Sequence, residues 1–447
     1  MFTSIAASFI LGAAPACGPL DLDTALGLAL ERSDEVAIKE SEVVAAQADQ
    51  ALARALRIIP SATATVLTGP SPEARGNIPD SSNSNRSLTG TRPFGRIDVQ
   101  VVQPLYTWGR LDAASDAASA GARAREELVQ DTAAQVQLRV VQLYWGAALA
   151  RRLVAIGGDV DKALDEAGKR IDEALASASE DIGPADRYRL DAFRGILRGR
   201  EADAEKGLEL ARIGLAATLG IAPDRLVLKD EQLDPAEGFL PDGAAAFAAA
   251  ERQRPDLKAL SEAVAAREAE VRAERGAQWP QFFLAGTFTY SYAPNRDIQL
   301  NPWVRDDFNT LALGGALGFR QDLALPTLSA RAQKARAEKA TLERQRTALG
   351  RLVSVQVASA IVEVKAARTK LIAMRASFGS ARSLFRSAGL DFAAGLTDAK
   401  SLIDAYSLFV ESQVSTAQAA YDMVAARAKL AQVTGEPPRK GARCELQ

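Results

Sequence analysis

Apolar positions recur in two rhythms along this 447-residue chain, and the rhythm changes at matched points in its two halves. From Glu31, "ERSDEVAIKESEVVAAQADQALARALRIIPSATATV" carries apolar residues at helical spacing, then passes Pro60 into alternation. From Arg252, "RQRPDLKALSEAVAAREAEVRAERGAQWPQFFLAGTF" does the same, and Pro280 marks the switch. The next alternating segments also correspond: "QVVQPLYTWGRL" from Gln100 and "LGFRQDLALPTL" from Leu317 place Gln103 opposite Gln321 and Leu105 opposite Leu323. The closing helices, "LDAFRGIL…ARIGLAATLG" from Leu190 and "IDAYSLFV…AARAKLAQVTG" from Ile403, complete a repeat of about half the chain.

Each repeat reads helix, strand, loop, strand, very long helix, tip, helix. Repeat 1 occupies 17–240, with a helix over 33–58, strands at about 60–69 and 96–106, a long helix over 109–178, a tip near Gly183, a helix over 185–219 and a linker. Repeat 2 occupies 241–447, with a helix over 258–278, strands at about 281–292 and 311–323, a long helix over 327–391, a tip near Gly395, a helix over 398–434 and a tail. At 1.5 Å per residue each long helix spans roughly 100 Å. The shorter helices of a repeat sum to nearly one long helix, so two are expected to stack end to end beside it. An ordinary antiparallel coiled coil would have no reason to interrupt itself with strands at matched positions.

The strands alternate cleanly. Leu311, Leu313, Leu317 and Phe319 share one face, against Ala312, Gly314, Ala316 and Gly318. Phe282, Leu284, Phe288, Tyr290 and Tyr292 share another, against Phe283, Ala285, Thr287, Thr289 and Ser291. Period two with one apolar face fits a membrane β-barrel strand and also one layer of a soluble sandwich. Four strands cannot close a barrel alone, since the smallest has about 8. In lipid the open edges would be met by other copies of the chain. Tyr106 and Trp108, where strand gives way to helix, suit either an interfacial aromatic belt or plain core packing. Gly109 permits the change of direction. Residues 68–95, rich in Gly, Pro, Ser and Asn, read as a long solvated loop, and 292–310 as a shorter one.

Composition narrows the chemistry. The net charge of −2 gives no basis for nucleic-acid binding. No histidine is present, which removes imidazole acid–base catalysis and zinc–histidine ligation. No cofactor or metal site is expected, and no Gly-rich phosphate loop appears, so an enzyme is not the expected reading. Residues 1–16, "MFTSIAASFILGAAPA", resemble a secretory signal with an A-x-A cleavage site and no positive n-region. Beyond them no stretch was read as long and apolar enough to cross a membrane. The two cysteines, Cys17 and Cys444, leave three options open: lipidation of Cys17, a disulfide between them, or free thiols.

In order, spacing and duplication, "VVQPLYTWGRLDAA" (101–114), "FAAGLTDAKSLIDAYSLFVESQVSTAQAAYDMVAARAKLAQVTG" (392–435) and the junctions "RIIPSATATV" and "AQWPQFFLAG" resemble the TolC-type outer membrane efflux protein family. The likeness spans both repeats and departs at "DLALPTL", where the family has an aromatic residue and then a glycine. It implies a homotrimer in a Gram-negative outer membrane, with a 12-stranded β-barrel continuous with a 12-helix periplasmic α-barrel. It also implies docking to a periplasmic adaptor (membrane fusion) protein and an inner-membrane pump, with outer membrane lipid around the barrel. The tips at Gly183-Pro184 and Gly395-Leu396 would touch the adaptor, although a helical hairpin needs such a turn in any case. Asp404 matches a family position where acidic side chains ring the channel entrance. Ser401 stands at the other such position, and Asp191 is the counterpart in repeat 1. Asp391 and Asp398 flank the second tip as weaker candidates. Phe392 and Thr397 stand where some members have a Tyr–Arg lock, so that network is not carried over. The linker at 221–245 and the tail from Glu436 would belt the tube.

The function expected is thus a passive outer-membrane channel of a tripartite efflux or type I secretion system. The alternative is a periplasmic coiled-coil adaptor or structural protein, for which one helical hairpin between small β-domains would be expected rather than two repeats.

Overall fold

The structure is a computed structural model that describes residues 19–76, 85–177, 183–235, 242–298, 303, 306–394 and 396–439. The signal segment, Cys17, Gly395 and Cys444 lie outside them. The elements, in order, are α1 (Leu22–Arg32), α2 (Asp34–Ala55), β1 (Ser61–Arg75), β2 (Asn85–Tyr106), α3 (Arg110–Ala176), α4 (Pro184–Leu219), α5 (Gly243–Gln253), α6 (Pro255–Gly276), β3 (Gln281–Tyr292), β4 (Thr310–Arg320), α7 (Leu325–Ala393) and α8 (Ala399–Thr434). The duplication is visible in their lengths. Helices of 11, 22, 67 and 36 residues in the first repeat answer helices of 11, 22, 69 and 36 in the second.

One unit comprises Met1–Ser41, Glu126–Lys258 and Thr347–Gln447 and is helical. Its helices are written in stripes of small apolar residues. On α3, Val136, Val140 and Tyr144 recur every fourth position and pack with Leu26, Leu28, Leu215 and Leu219. Further along α3, Ile156, Val160 and Leu164 pack with Leu190 and Val410. On α7, Val353, Val357, Val364 and Leu371 face Ala419, Met423 and Leu430 of α8. Asp21 caps α1 by accepting from the Thr24 amide at 2.9 Å. Both α4 and α8 end on left-handed glycines, Gly220 and Gly435.

Two breaks were absent from the sequence reading. The helices expected as 33–58 and 258–278 are each preceded by an 11-residue helix, with interruptions at Ser33 and Arg254. At the second break the backbone is so close to α8 that a Cβ on Gly435 would lie 2.7 Å from the Arg254 nitrogen. The guanidinium of Arg254 is buried beside Asp256 (2.6 Å) and donates to Gln356 Oε1 (2.6 Å). Between the repeats, Leu20 bridges Leu228, and Arg151 donates to the carbonyls of Leu228 and Lys229. At the tail, the Gln137 side chain clamps both backbone groups of Arg439, at 2.7 and 3.0 Å.

In α7 an 18-residue window of mean hydropathy 1.4, 28% buried, passes the length-and-composition test for crossing a membrane. This corrects the reading that found no such stretch. The alternating Val, Ala and Ser of α7 average to an apolar window without forming an unbroken apolar run. The helix is apolar on more than its core face: Leu352, Val355 and Val362 are 51–64% exposed, as are Ile196 and Leu210 of α4 at 58–59%.

The second unit comprises Glu42–Arg125 and Ala259–Arg346 and holds one antiparallel sheet in the order β1-β2-β3-β4. The pairing of β2 with β3 joins the two repeats. Its register sets the predicted faces side by side: Ala64, Val99, Phe288 and Leu313 fall in one row, and Val66, Ile97, Tyr290 and Leu311 in the next. The opposite face carries Thr65, Asp98, Thr289 and Ala312. Leu311, Leu313, Leu317 and Phe319 are 68–85% exposed. Among the described residues no further strand pairs with the outer edge of β1 or β4; the edge of β1 is met at its loop end by the bridge Ala74↔Arg296.

The segment read as a solvated loop over 68–95 is largely strand. The ladder continues through Pro70↔Pro93 and, past a bulge, to Arg75↔Asn85. Its turn-forming composition is overridden by a tertiary clamp. Asn295, 2% exposed, accepts from the Ser71 hydroxyl and donates to the Ser71 and Gly90 carbonyls. Arg296 lies over the Phe308 ring at 4.1 Å. At the other end β4 stops at Arg320, short of 323, and α7 starts at Leu325 with Pro326 in its first turn, where no amide donor is needed.

Candidate functional site

Two places carry the residues singled out in the sequence, one in each unit.

The first is the rim of the sheet. Pro104 and the bulge after it put Tyr106 opposite Phe282, on the apolar face. The chain then turns through Trp108 (φ 53°) and Gly109 (φ 73°) into α3. A left-handed tryptophan is strained. Its indole Nε1 donates to the Pro280 carbonyl at 2.8 Å, and its ring meets Tyr106 at 5.1 Å and Trp279 at 5.2 Å. Gly276 allows close packing here, since a Cβ would lie 3.0 Å from the Trp108 carbonyl oxygen. Tyr106, Trp108 and Trp279 remain 42–55% exposed, as amphipathic rings at an interface are. Trp279 was missed as a site residue because the second junction was aligned on Pro280 alone.

The aligned glutamines have the same job in both repeats. Gln103 Nε2 donates to the carbonyls of Arg57 and Pro104, and Gln321 Nε2 donates to those of Gln278 and Asp322. Each ties a helix end to the return strand. In the first repeat Gln103 Oε1 also receives the Ile59 amide at 2.6 Å, where Ile59 is left-handed (φ 46°).

The second place is the pair of tips. Gly183 precedes α4, its amide donates to Asp186 Oδ2 at 3.1 Å, and Pro184 opens the helix. Leu396 is 77% exposed and its amide donates to the Asp391 carbonyl. Asp398 caps α8, accepting from the amide of Ser401 at 3.0 Å and from its hydroxyl at 2.6 Å. Those two donors hold the Asp398 carboxyl below the usual carboxylate range. The cap is therefore complete above the ordinary carboxylate range and is lost as pH falls through the depressed value. Ser401 is spent on this cap. Asp404, one turn later, is exposed and makes no ion pair among the described residues. Asp191 is held by Arg187 at 3.4 Å, and no contact joins it to Asp404 among the described residues.

Behind this tip lies an aromatic cluster that the sequence reading did not assemble, because its members are spread over three helices. Phe409 stacks on Phe378 at 5.6 Å and on Phe385 at 5.5 Å, while Tyr406 meets Phe385 at 5.0 Å and Phe193 at 6.4 Å. Burial, with Asp159 nearby, pushes the Tyr406 hydroxyl up to about 12, so it stays neutral.

Residues 247–436 match the model of a known family, that of the outer membrane efflux proteins. The match falls within the second repeat. It takes in β3, β4, the second tip and Asp404. No curated protein matches the chain. Among solved structures, the chain is similar to the CmeC outer membrane channel of Campylobacter jejuni (16% identity, 94% of this chain and 86% of that one, TM-score 0.74). It is also similar to the MtrE outer membrane channel of Neisseria gonorrhoeae in its open state (17%, 94% and 90%, TM-score 0.73). The outer membrane protein VceC of Vibrio cholerae matches at 14% identity over 94% and 97%, with a TM-score of 0.72. Likeness over more than nine-tenths of the chain shows that the fold is the outer-membrane-channel fold. The adaptor organisation weighed in the sequence is not this fold.

Proposed function

We propose that the chain is one subunit of a homotrimeric outer-membrane duct in a Gram-negative bacterium. An inner-membrane pump would drive small molecules or proteins through it by way of a periplasmic adaptor. The observation that carries this is the sheet: its apolar face is exposed, and among the described residues no further strand pairs with either outer strand. Such a sheet is stable in lipid only when its edges meet those of other copies. Three copies bring the strand count to about 12, above the minimum of about 8 for a closed barrel. The exposed apolar residues of α4 and α7 supply a surface for sister subunits in the helical part. The duct is passive, and the selecting chemistry belongs to the pump.

In this reading the tips at Gly183-Pro184 and Leu396 meet the adaptor, and Asp404 faces the entrance. Three like charges around one axis repel each other and attract cations. The reconstituted Asp404→Ala channel should show reduced cation selectivity and weaker block by multivalent cations. An unchanged conductance profile would remove Asp404 from the entrance. For the assembly itself, the mature protein should require detergent for extraction and migrate as a heat-stable trimer. A monomer soluble in water without detergent would overturn the proposal.

A further inference from the structure

At the rim of the apolar face, Trp108 and Trp279 flank a groove of about 460 Å³ that is also lined by Asp112, Asp116, Arg272 and Arg275. Asp116 pairs with Arg272 at 2.9 Å, and Asp112 pairs with Arg57 at 2.6 Å. Arg275, exposed in the last turn of α6, has no ion pair or hydrogen bond from its side chain among the described residues. The groove therefore offers the Arg275 guanidinium and two indole faces, its two carboxylates being paired with Arg57 and Arg272, at the margin of the sheet's apolar face.

From this we infer a binding site for the headgroup of a zwitterionic aminophospholipid. The inference rests on the membrane reading above. Arg275 takes the phosphate by charge-assisted hydrogen bonds. The lipid ammonium lies against the Trp279 face, held by cation–π attraction. The acyl chains continue past Tyr106 onto the row that begins with Phe282 and Phe319. A headgroup without the ammonium would satisfy Arg275 and forgo the indole contact, so the pairing of a guanidinium with two indole faces favours a headgroup carrying both signs.

The test uses the full-length protein in detergent. Native mass spectrometry after titration with phosphatidylethanolamine or phosphatidylglycerol should show preferential retention of the ethanolamine lipid. Arg275→Ala should reduce that retention about fivefold, the scale of one exposed charge-assisted contact, without changing the oligomer. Equal retention of the two lipids, preference for the anionic one, or identical behaviour of wild type and Arg275→Ala would overturn the site. Quenching of tryptophan fluorescence by brominated phosphatidylethanolamine in vesicles separates the two levels of the claim. Quenching with no headgroup preference removes only this site, whereas no quenching removes the membrane reading with it.

Discussion

Arginine in place of Leu313 should keep the chain from assembling in the membrane, while arginine at the adjacent Ala312 should be tolerated. Leu313 is 85% exposed at the middle of β4, in a row with Phe288, Val99 and Ala64. If that row meets hydrocarbon, a guanidinium there costs about 2–4 kcal/mol per subunit. Closed symmetry imposes the cost once on every subunit of the ring. Ala312 points to the face of Thr289 and Asp98, where a charge stays hydrated. The measurement is the fraction of each variant recovered as detergent-extracted trimer from outer membranes. On a water-exposed sheet, Leu313→Arg would change stability by no more than about 0.5 kcal/mol. Equal recovery of the two variants would therefore reject the lipid-facing assignment.

The second large effect concerns Arg254. It is 8% exposed, it grips Asp256, and the end of α8 rests against its backbone at Gly435. Arg254→Ala leaves the half-buried Asp256 carboxylate without its cation, a loss of up to about 3 kcal/mol, the low end for buried pairs. Replacing both partners, as Arg254→Met with Asp256→Leu, should restore much of it, since the orphaned charge disappears. Asp131 adds a pH signature. Burial, and then Asp256, hold its carboxyl above the ordinary range. A carboxyl raised in the folded state binds protons more readily there than in the unfolded chain, so stability rises as pH falls. Arg254 opposes the upward shift, so its removal raises the Asp131 carboxyl further, and the deficit of Arg254→Ala should shrink toward acid. Chemical denaturation of the detergent-extracted protein at two pH values tests both points, and a single variant as stable as the parent would show that the pair is not structural.

Much of the fold was legible because it is written in local rhythm. Pro60 and Pro280 stand at the two helix-to-strand switches, and the alternation around Leu313 and Phe288 predicted faces that the register then placed side by side. The pairing of Gln103 with Gln321 came from alignment alone and has a physical counterpart in matched hydrogen bonds. What escaped was tertiary. The breaks at Ser33 and Arg254 were passed over although Ser33 is an N-cap residue type and Pro255 follows Arg254; what no local pattern shows is that the second break is held by Gln356, about a hundred residues away. The ladder beyond Thr68 hid behind Gly, Pro and Ser, and its clamp, Asn295, lies in the other repeat. The candidate site was legible unevenly. Tyr106 and Trp108 stood out at the strand's end, but Trp279 did not. At the tip, Asp404 was reached only through family resemblance, and the use of Ser401 as a capping donor was not foreseen.

The two outer strands bear on genetics. Within one chain the two repeats are already stitched by β2 and β3, so the proposed ring of three copies would have one β4-to-β1 seam per subunit. A single defective border then spoils the whole ring. In a cell making sound and border-damaged chains in equal amounts, only about one ring in eight would be wholly sound under random mixing into closed trimers. Lesions in β1 or β4 should therefore be dominant, whereas lesions that unfold the chain before it reaches its sisters should be recessive.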